Sequence, residues 1–119
     1  MELKNVQDAI REYIGILKKG RKELQHRADR KAETIGDYER ELAKTIMKLR
    51  NGIEMELDGQ RIKDPPATLI EKIARGICFR AKIDMELADA EYKNAIEGMR
   101  AIQAELNGFQ SIGRYFDET

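Results

Sequence analysis

The chain has 119 residues, and its 22 lysines and arginines balance 22 aspartates and glutamates, for a formal net charge of zero. That balance argues against a general nucleic-acid binder, which needs a basic excess, and the length suggests one domain. Charged residues make up 37% and aromatics 6%, with no tryptophan. So polar a chain is either disordered or built from long helices, and the regular spacing of its apolar residues decides for helices.

In the first half, Leu3, Ile10, Leu17 and Leu24 recur by sevens, with Val6 and Tyr13 between them. The frame then resets by four residues to Ala28, Ile35, Leu42 and Leu49, supported by Tyr38, Ile46 and Ile53. A four-residue insertion is a stutter, which unwinds a coiled coil locally without ending it. This pattern predicts helix 1 over residues 2–56. Gly36 leaves two versions open. Thr34-Ile35-Gly36-Asp37 can close one helix and start another, with Asp37 as N-cap. Alternatively the helix continues, straight or gently kinked, and the stripe resuming on both sides of the glycine favours this version.

Residues 58–65 are the clearest punctuation. Asp58-Gly59 is a turn signal. Pro65 and Pro66 suit only the first turn of a helix, capped by Asp64 or by a Thr68–Glu71 capping box. The short connection predicts an antiparallel second helix over 66–112. Along it Ala74, Ala81, Ala88 and Ala95 recur every seven residues, continued by Ile102, Phe109 and Phe116. Four positions after each of the first five stands a larger residue: Cys78, Met85, Tyr92, Met99 and Leu106. Alanine on one side of a seam lets two backbones approach, and the larger residues fill the space that remains.

The early part of helix 2 has surplus apolar residues off this stripe: Leu69, Ile70, Ile73, Ile77, Ile83 and Leu87. Two apolar faces imply two partners, helix 1 and a second copy of the chain. Gly76, Gly98, Gly108 and Gly113 mark close approach of a neighbour or fraying, or else a hinge or docking notch, the first two being the plainer account. Tyr115-Phe116 either packs back near Leu3 and Val6 or forms a short docking tail.

Chemistry-bearing signals are sparse. Cys78, the only cysteine, excludes an intramolecular disulfide and fits a small packed hydrophobe in a reduced, cytoplasmic setting. No apolar run approaches the ~20 residues of a membrane span, and Met1-Glu2-Leu3-Lys4-Asn5 lacks the layout of a signal peptide. The single histidine, His26, sits in a polar run with no metal-ligand spacing around it. Gly15 and Gly20 lie inside helical pattern, not in a phosphate loop. Asp84, Glu86, Asp89 and Glu91 form an acidic patch without the Glu-x-x-His of di-iron bundles; an exposed face matching basic residues is the plainer account. No catalytic, cofactor or metal site is therefore assigned.

The basic run Lys18, Lys19, Arg21, Lys22, Arg27, Arg30 and Lys31 is the strongest of these signals. It suits a phosphate backbone, but antiparallel pairing would place it opposite residues 91–104, near Glu91, Glu97 and Glu105. Weak surface ion pairs then explain it without nucleic acid.

Three stretches carry a resemblance: Tyr38-Glu39 to Leu49-Arg50, Pro66-Ala67-Thr68-Leu69-Ile70-Glu71-Lys72-Ile73-Ala74-Arg75-Gly76, and Ala81 with Glu86-Leu87-Ala88-Asp89-Ala90-Glu91-Tyr92-Lys93-Asn94-Ala95. Across residues 35–113 the chain resembles small phage and prophage helical-hairpin proteins of unassigned function. These are encoded in early or DNA-metabolism regions of phages of Gram-positive bacteria. Where that family often has an acidic residue after the glycine, Gly76 here is followed by Ile77-Cys78, and the Asp58–Asp64 loop is longer. The resemblance supplies no catalytic residue.

The expected fold is all-α: a long antiparallel, coiled-coil-like helical hairpin that dimerises into a four-helix arrangement. The expected function is a non-enzymatic interaction module, acting in the bacterial cytoplasm on a replication, recombination or host-defence protein of the phage or host. Its expected docking surface is the outer face of helix 2: Leu69, Ile73, Ile77 and Ile83; if the chain dimerises, those residues serve the dimer instead and the partner surface lies elsewhere. The alternative is a nucleic-acid-associated helical protein using residues 18–31.

Overall fold

A computed structural model describes residues 2–118. In chain order the elements are α1 (Leu3–Arg50), β1 (Met55–Leu57), β2 (Gln60–Ile62), a 3-10 turn (Ala67–Leu69), α2 (Ile70–Ile77) and α3 (Phe79–Glu118). The protein is predominantly helical, as its composition requires. It divides into two compact units, residues 1–29 with 90–119 and residues 30–89, and α1 and α3 contribute to both.

Helix α1 passes through Gly36 without a break. Gly36 is exposed, and nothing lies within 4 Å of where its Cβ would be. The glycine costs the helix about 1 kcal/mol, which the packed residues on both sides offset. The helix ends at Arg50 rather than at 56 because Gly52 takes a left-handed φ of 75°. The Ile53 amide then donates to the Lys48 carbonyl (3.0 Å) and the Gly52 amide to the Leu49 carbonyl (3.2 Å), the paired bonds of a Schellman cap.

The segment expected as a plain connection is a β-hairpin. Past the cap, Ile53-Glu54-Met55-Glu56-Leu57 alternates apolar and acidic side chains, which is strand periodicity. Asp58 (φ 50°) and Gly59 (φ 81°) are both left-handed, so they form the two-residue turn whose twist matches antiparallel strands. Met55 pairs with Ile62, Glu56 with Arg61 and Leu57 with Gln60. Opposite charges thus face each other across the ladder, and the apolar Met55–Ile62 pair turns toward the core.

In the unit formed by residues 30–89, the core is Leu49, Ile70 and Ala74, with Leu42, Ile46, Met55, Ile62, Ile73 and Ile77 packed around it. The hairpin lies against α2 because Gly76 has no side chain. A Cβ there would stand 3.3 Å from a Leu57 methyl. Antiparallel pairing of α1 with the second half of the unit shows in three contacts. Lys31 meets Asp89 at 3.1 Å, Lys82 lies over the Tyr38 ring at 5.3 Å, and Thr45 Oγ1 is 3.3 Å from Cys78 Sγ.

Helix 2 departs from expectation in four ways. It opens as a 3-10 turn, with the Leu69 amide bonded to the Pro66 carbonyl at 2.9 Å. Neither this turn nor α2 has a side-chain cap, so neither Asp64 nor Thr68 plays that part. The helix is then interrupted at Cys78 (φ −88°, ψ 20°), although its amide still reaches the Ala74 carbonyl and its carbonyl accepts from Lys82. Beyond the interruption α3 runs to Glu118 rather than 112.

In the other unit the same antiparallel order holds. Tyr13 stacks on Phe109 with ring centroids 5.4 Å apart. The Met99 thioether fills the space where a Gly20 side chain would be, and Gly113 sits against Val6 and Ile10. Val6, Leu17 and Leu106 are buried. Phe116 is half-buried and meets the exposed Tyr115 edge-on, with centroids 6.0 Å apart.

Gly36 and Gly52 give opposite expectations under substitution. Gly36→Ala should stabilise the protein by about 0.5–1 kcal/mol, since the site is open and helical. Gly52→Ala should destabilise it by about 1–2 kcal/mol, because alanine resists a left-handed φ and its Cβ would lie 3.1 Å from Asp64 Oδ1. Urea denaturation followed by circular dichroism measures both.

Candidate interaction surface

The four residues expected to form the docking face separate into two pairs. Leu69 (45% exposed) and Ile83 (40%) face water, whereas Ile73 and Ile77 pack against the core cluster. The reason is the β-hairpin, which supplies Met55, Ile62 and Leu57 as partners for α2 and so covers most of its surplus apolar surface. Beyond Cys78 that cover ends. Phe79 (51%), Ile83 and Leu87 (57%) then follow one another at four-residue spacing on the outer side of α3. At 100° per residue these three form one ridge. The ridge lies away from the inner stripe of Ala81, Met85 and Ala88, of which Ala88 is buried and the other two half-buried. Leu87 was legible as surplus apolar surface. Phe79 was missed, and its i, i+4, i+8 spacing with Ile83 and Leu87 was the available signal.

The basic run also divides. Lys18, Lys19, Arg21 and Lys22 are exposed. Arg27 turns inward, pairing with Glu23 at 2.9 Å and donating to the Glu91 backbone carbonyl at 3.1 Å. Lys31 pairs with Asp89. The expected partners Glu97 and Glu105 are engaged elsewhere, Glu97 with Arg100 on its own helix at 2.8 Å and Glu105 with the Tyr13 hydroxyl. His26 is exposed.

In the acidic patch, Glu86 lies 3.7 Å from Lys82, and Asp84 lines a polar cleft of about 360 Å³. Arg30, Arg40 and Arg80 share that cleft with Asp37, Glu41 and Asp84, above the buried Thr34. Three guanidinium groups against three carboxylates give it no net charge preference. Among the described residues, no three His, Cys, Asp or Glu side chains come together as a metal site. No described helix is long and apolar enough to cross a membrane. Cys78 is buried beside the buried Thr45 hydroxyl, which gives that hydroxyl a partner at the α2–α3 interruption.

Comparison of the chain with protein-family models, with curated proteins and with solved structures finds no match.

One side chain has a displaced titration. The Tyr13 pKa is raised from its ordinary 10.0, first by the hydrogen bond to Glu105, then by desolvation and by the Glu105 and Glu12 charges. A raised value means that the folded chain holds this proton more tightly than the unfolded one. The contact therefore stabilises the fold below the ordinary phenol value and is lost as pH rises through the folded value. In an NMR titration Glu105→Gln should lower the Tyr13 pKa toward 10.0.

Proposed function

We propose that this chain works by binding rather than by chemistry, as a protein-interaction module that presents the outer face of α3 to a helix of another protein molecule. The observation that carries this reading is the exposed ridge Phe79, Ile83 and Leu87. Single exposed apolar residues need no explanation, whereas a contiguous set marks a surface that is covered in use. Covering apolar area yields about 25 cal/mol per Å², and α3 already spends its inner face on α1. In this reading the chain dimerises into a four-helix arrangement and operates in the cytoplasm of a bacterial host. The resemblance of residues 35–113 to phage and prophage proteins supports a phage origin and a target in replication, recombination or host defence.

A second reading has its own observation. Lys18, Lys19, Arg21 and Lys22 are exposed, and Lys18 and Lys22 share one side of α1, as nucleic-acid contact would require. The neutral net charge weighs against it.

Affinity capture tests the leading reading. Wild-type chain and a Phe79→Glu/Leu87→Glu variant are immobilised and exposed to extract from infected or lysogenic cells, with bound protein identified by mass spectrometry. The reading expects a protein, whether a second copy of the chain or a replication, recombination or defence protein, that the wild type retains and the variant loses by at least about tenfold, the equivalent of 1.4 kcal/mol. Equal retention by both chains overturns it. Retention of DNA at low salt that falls steeply with added salt, and is lost in Lys18→Ala/Lys22→Ala, would establish the second reading instead.

A further inference from the structure

We propose that the ridge Phe79–Ile83–Leu87 is covered by the same ridge of a second copy, running antiparallel about a two-fold axis beside Ile83. The inference rests on the reading of this face as an interaction surface and names its occupant.

The ridge is nearly symmetric about its centre. Reversal about Ile83 sets Phe79 of one copy against Leu87 of the other, and Ile83 against itself. A two-fold contact uses one patch twice, and this patch is the same read from either end.

The charges beside the ridge choose the orientation. By helical spacing, Lys82 and Glu86 border it on one side and Arg80 and Asp84 on the other. The structure places these two borders against different surroundings. Lys82 lies over Tyr38 and near Glu86, whereas Arg80 and Asp84 line the cleft with Asp37 and Arg40. In an antiparallel two-fold pair each border meets its own copy. On each border two attractions then flank the axis, Lys82 with the other Glu86 or Arg80 with the other Asp84, against one repulsion at the axis itself, Lys82 with Lys82 or Asp84 with Asp84. A parallel pair would bring unlike borders together, with two repulsions on each, Arg80 beside Lys82 and Asp84 beside Glu86, against one attraction between Lys82 and Asp84. Like-charge neighbours destabilise a contact, so the balance of attractions over repulsions favours the antiparallel arrangement.

Sedimentation equilibrium of the whole chain at micromolar concentration should give twice the 13.7 kDa chain mass. Lys82→Glu should weaken the dimer about tenfold, since two symmetry-related attractions become repulsions. Adding Glu86→Lys should restore it to within about threefold, the reversed pair being equivalent. In a Cys78→Ser background, Ile83→Cys should form a disulfide between copies on mild oxidation, because only side chains with Cα atoms within about 7 Å can be bridged. Circular dichroism should show unchanged helix content in every variant. A monomer, or a dimer that neither oxidises through Ile83→Cys nor responds to Lys82→Glu, overturns the proposal. If the chain is monomeric yet the Phe79→Glu/Leu87→Glu variant still loses a captured protein, the interaction reading stands with a different occupant. If that loss is also absent, both fall.

Discussion

Close approach of α1 and α3 is the constraint from which the rest of this structure follows. Two helices bury enough surface to hold together only if small side chains let the backbones come near. Ala88 supplies this in one unit, where Ala74 of α2 does the same against α1, each almost completely buried. Gly20 supplies it in the other, where the Met99 thioether takes the space a side chain would need. The larger residues then complete the seam at matching heights: Leu17 and Leu106, Tyr13 on Phe109, Leu49 beside Ile70. Most of the charge stays outside, and part of it reinforces the pairing through Arg27 to the Glu91 carbonyl and Lys31 to Asp89. These surface pairs are worth about 0–1 kcal/mol each, less than the ~1.5–3 kcal/mol from burying one leucine. The apolar seam therefore governs the pairing, and the charges help to set its register.

The end of the pair near the hairpin solves a different problem. Helix α1 must stop, reverse and return without leaving its last core residues open to water. Gly52 stops it, and Asp58-Gly59 reverses it. The two short strands carry Met55 and Ile62 onto Leu49, Ile70 and Ala74, and lay Leu57 on Gly76. A two-stranded ribbon is marginal alone, so this one depends on α2 as much as α2 depends on it. The cost appears as left-handed backbone at Asp58 and Asp64, neither of which is glycine.

Much of this was legible. All four heptad alanines of the second half are buried or half-buried, as are Cys78, Met85, Tyr92, Met99 and Leu106, because heptad spacing reports directly on which side of a helix meets another. What the spacing did not report was local chemistry. The Asp58-Gly59 pair with alternating Met55 and Leu57 is a hairpin signal, but a three-residue strand adds too little periodicity to stand out against a 48-residue helix. Missing the hairpin had one consequence for function: Ile73 and Ile77 counted as outer-face residues, whereas the hairpin side of the core takes them. Thr34 and Thr45 were invisible for another reason. Threonine reads as polar, yet Thr34 bonds the Lys31 carbonyl and Thr45 the Cys78 sulfur, so both hydroxyls can be buried.

The inner side of α3 thus packs on α1, and the outer side leaves Phe79, Ile83 and Leu87 exposed, the ridge we propose another molecule covers. That division holds only if α1 and α3 of one chain are truly paired. Isotope-filtered nuclear Overhauser spectroscopy on a mixture of labelled and unlabelled chains tests this most directly. Intramolecular cross-peaks from the Met99 methyl to the Gly20 α protons should be strong. Their absence, or their appearance only between differently labelled chains, would mean that the two helices do not close on each other as described.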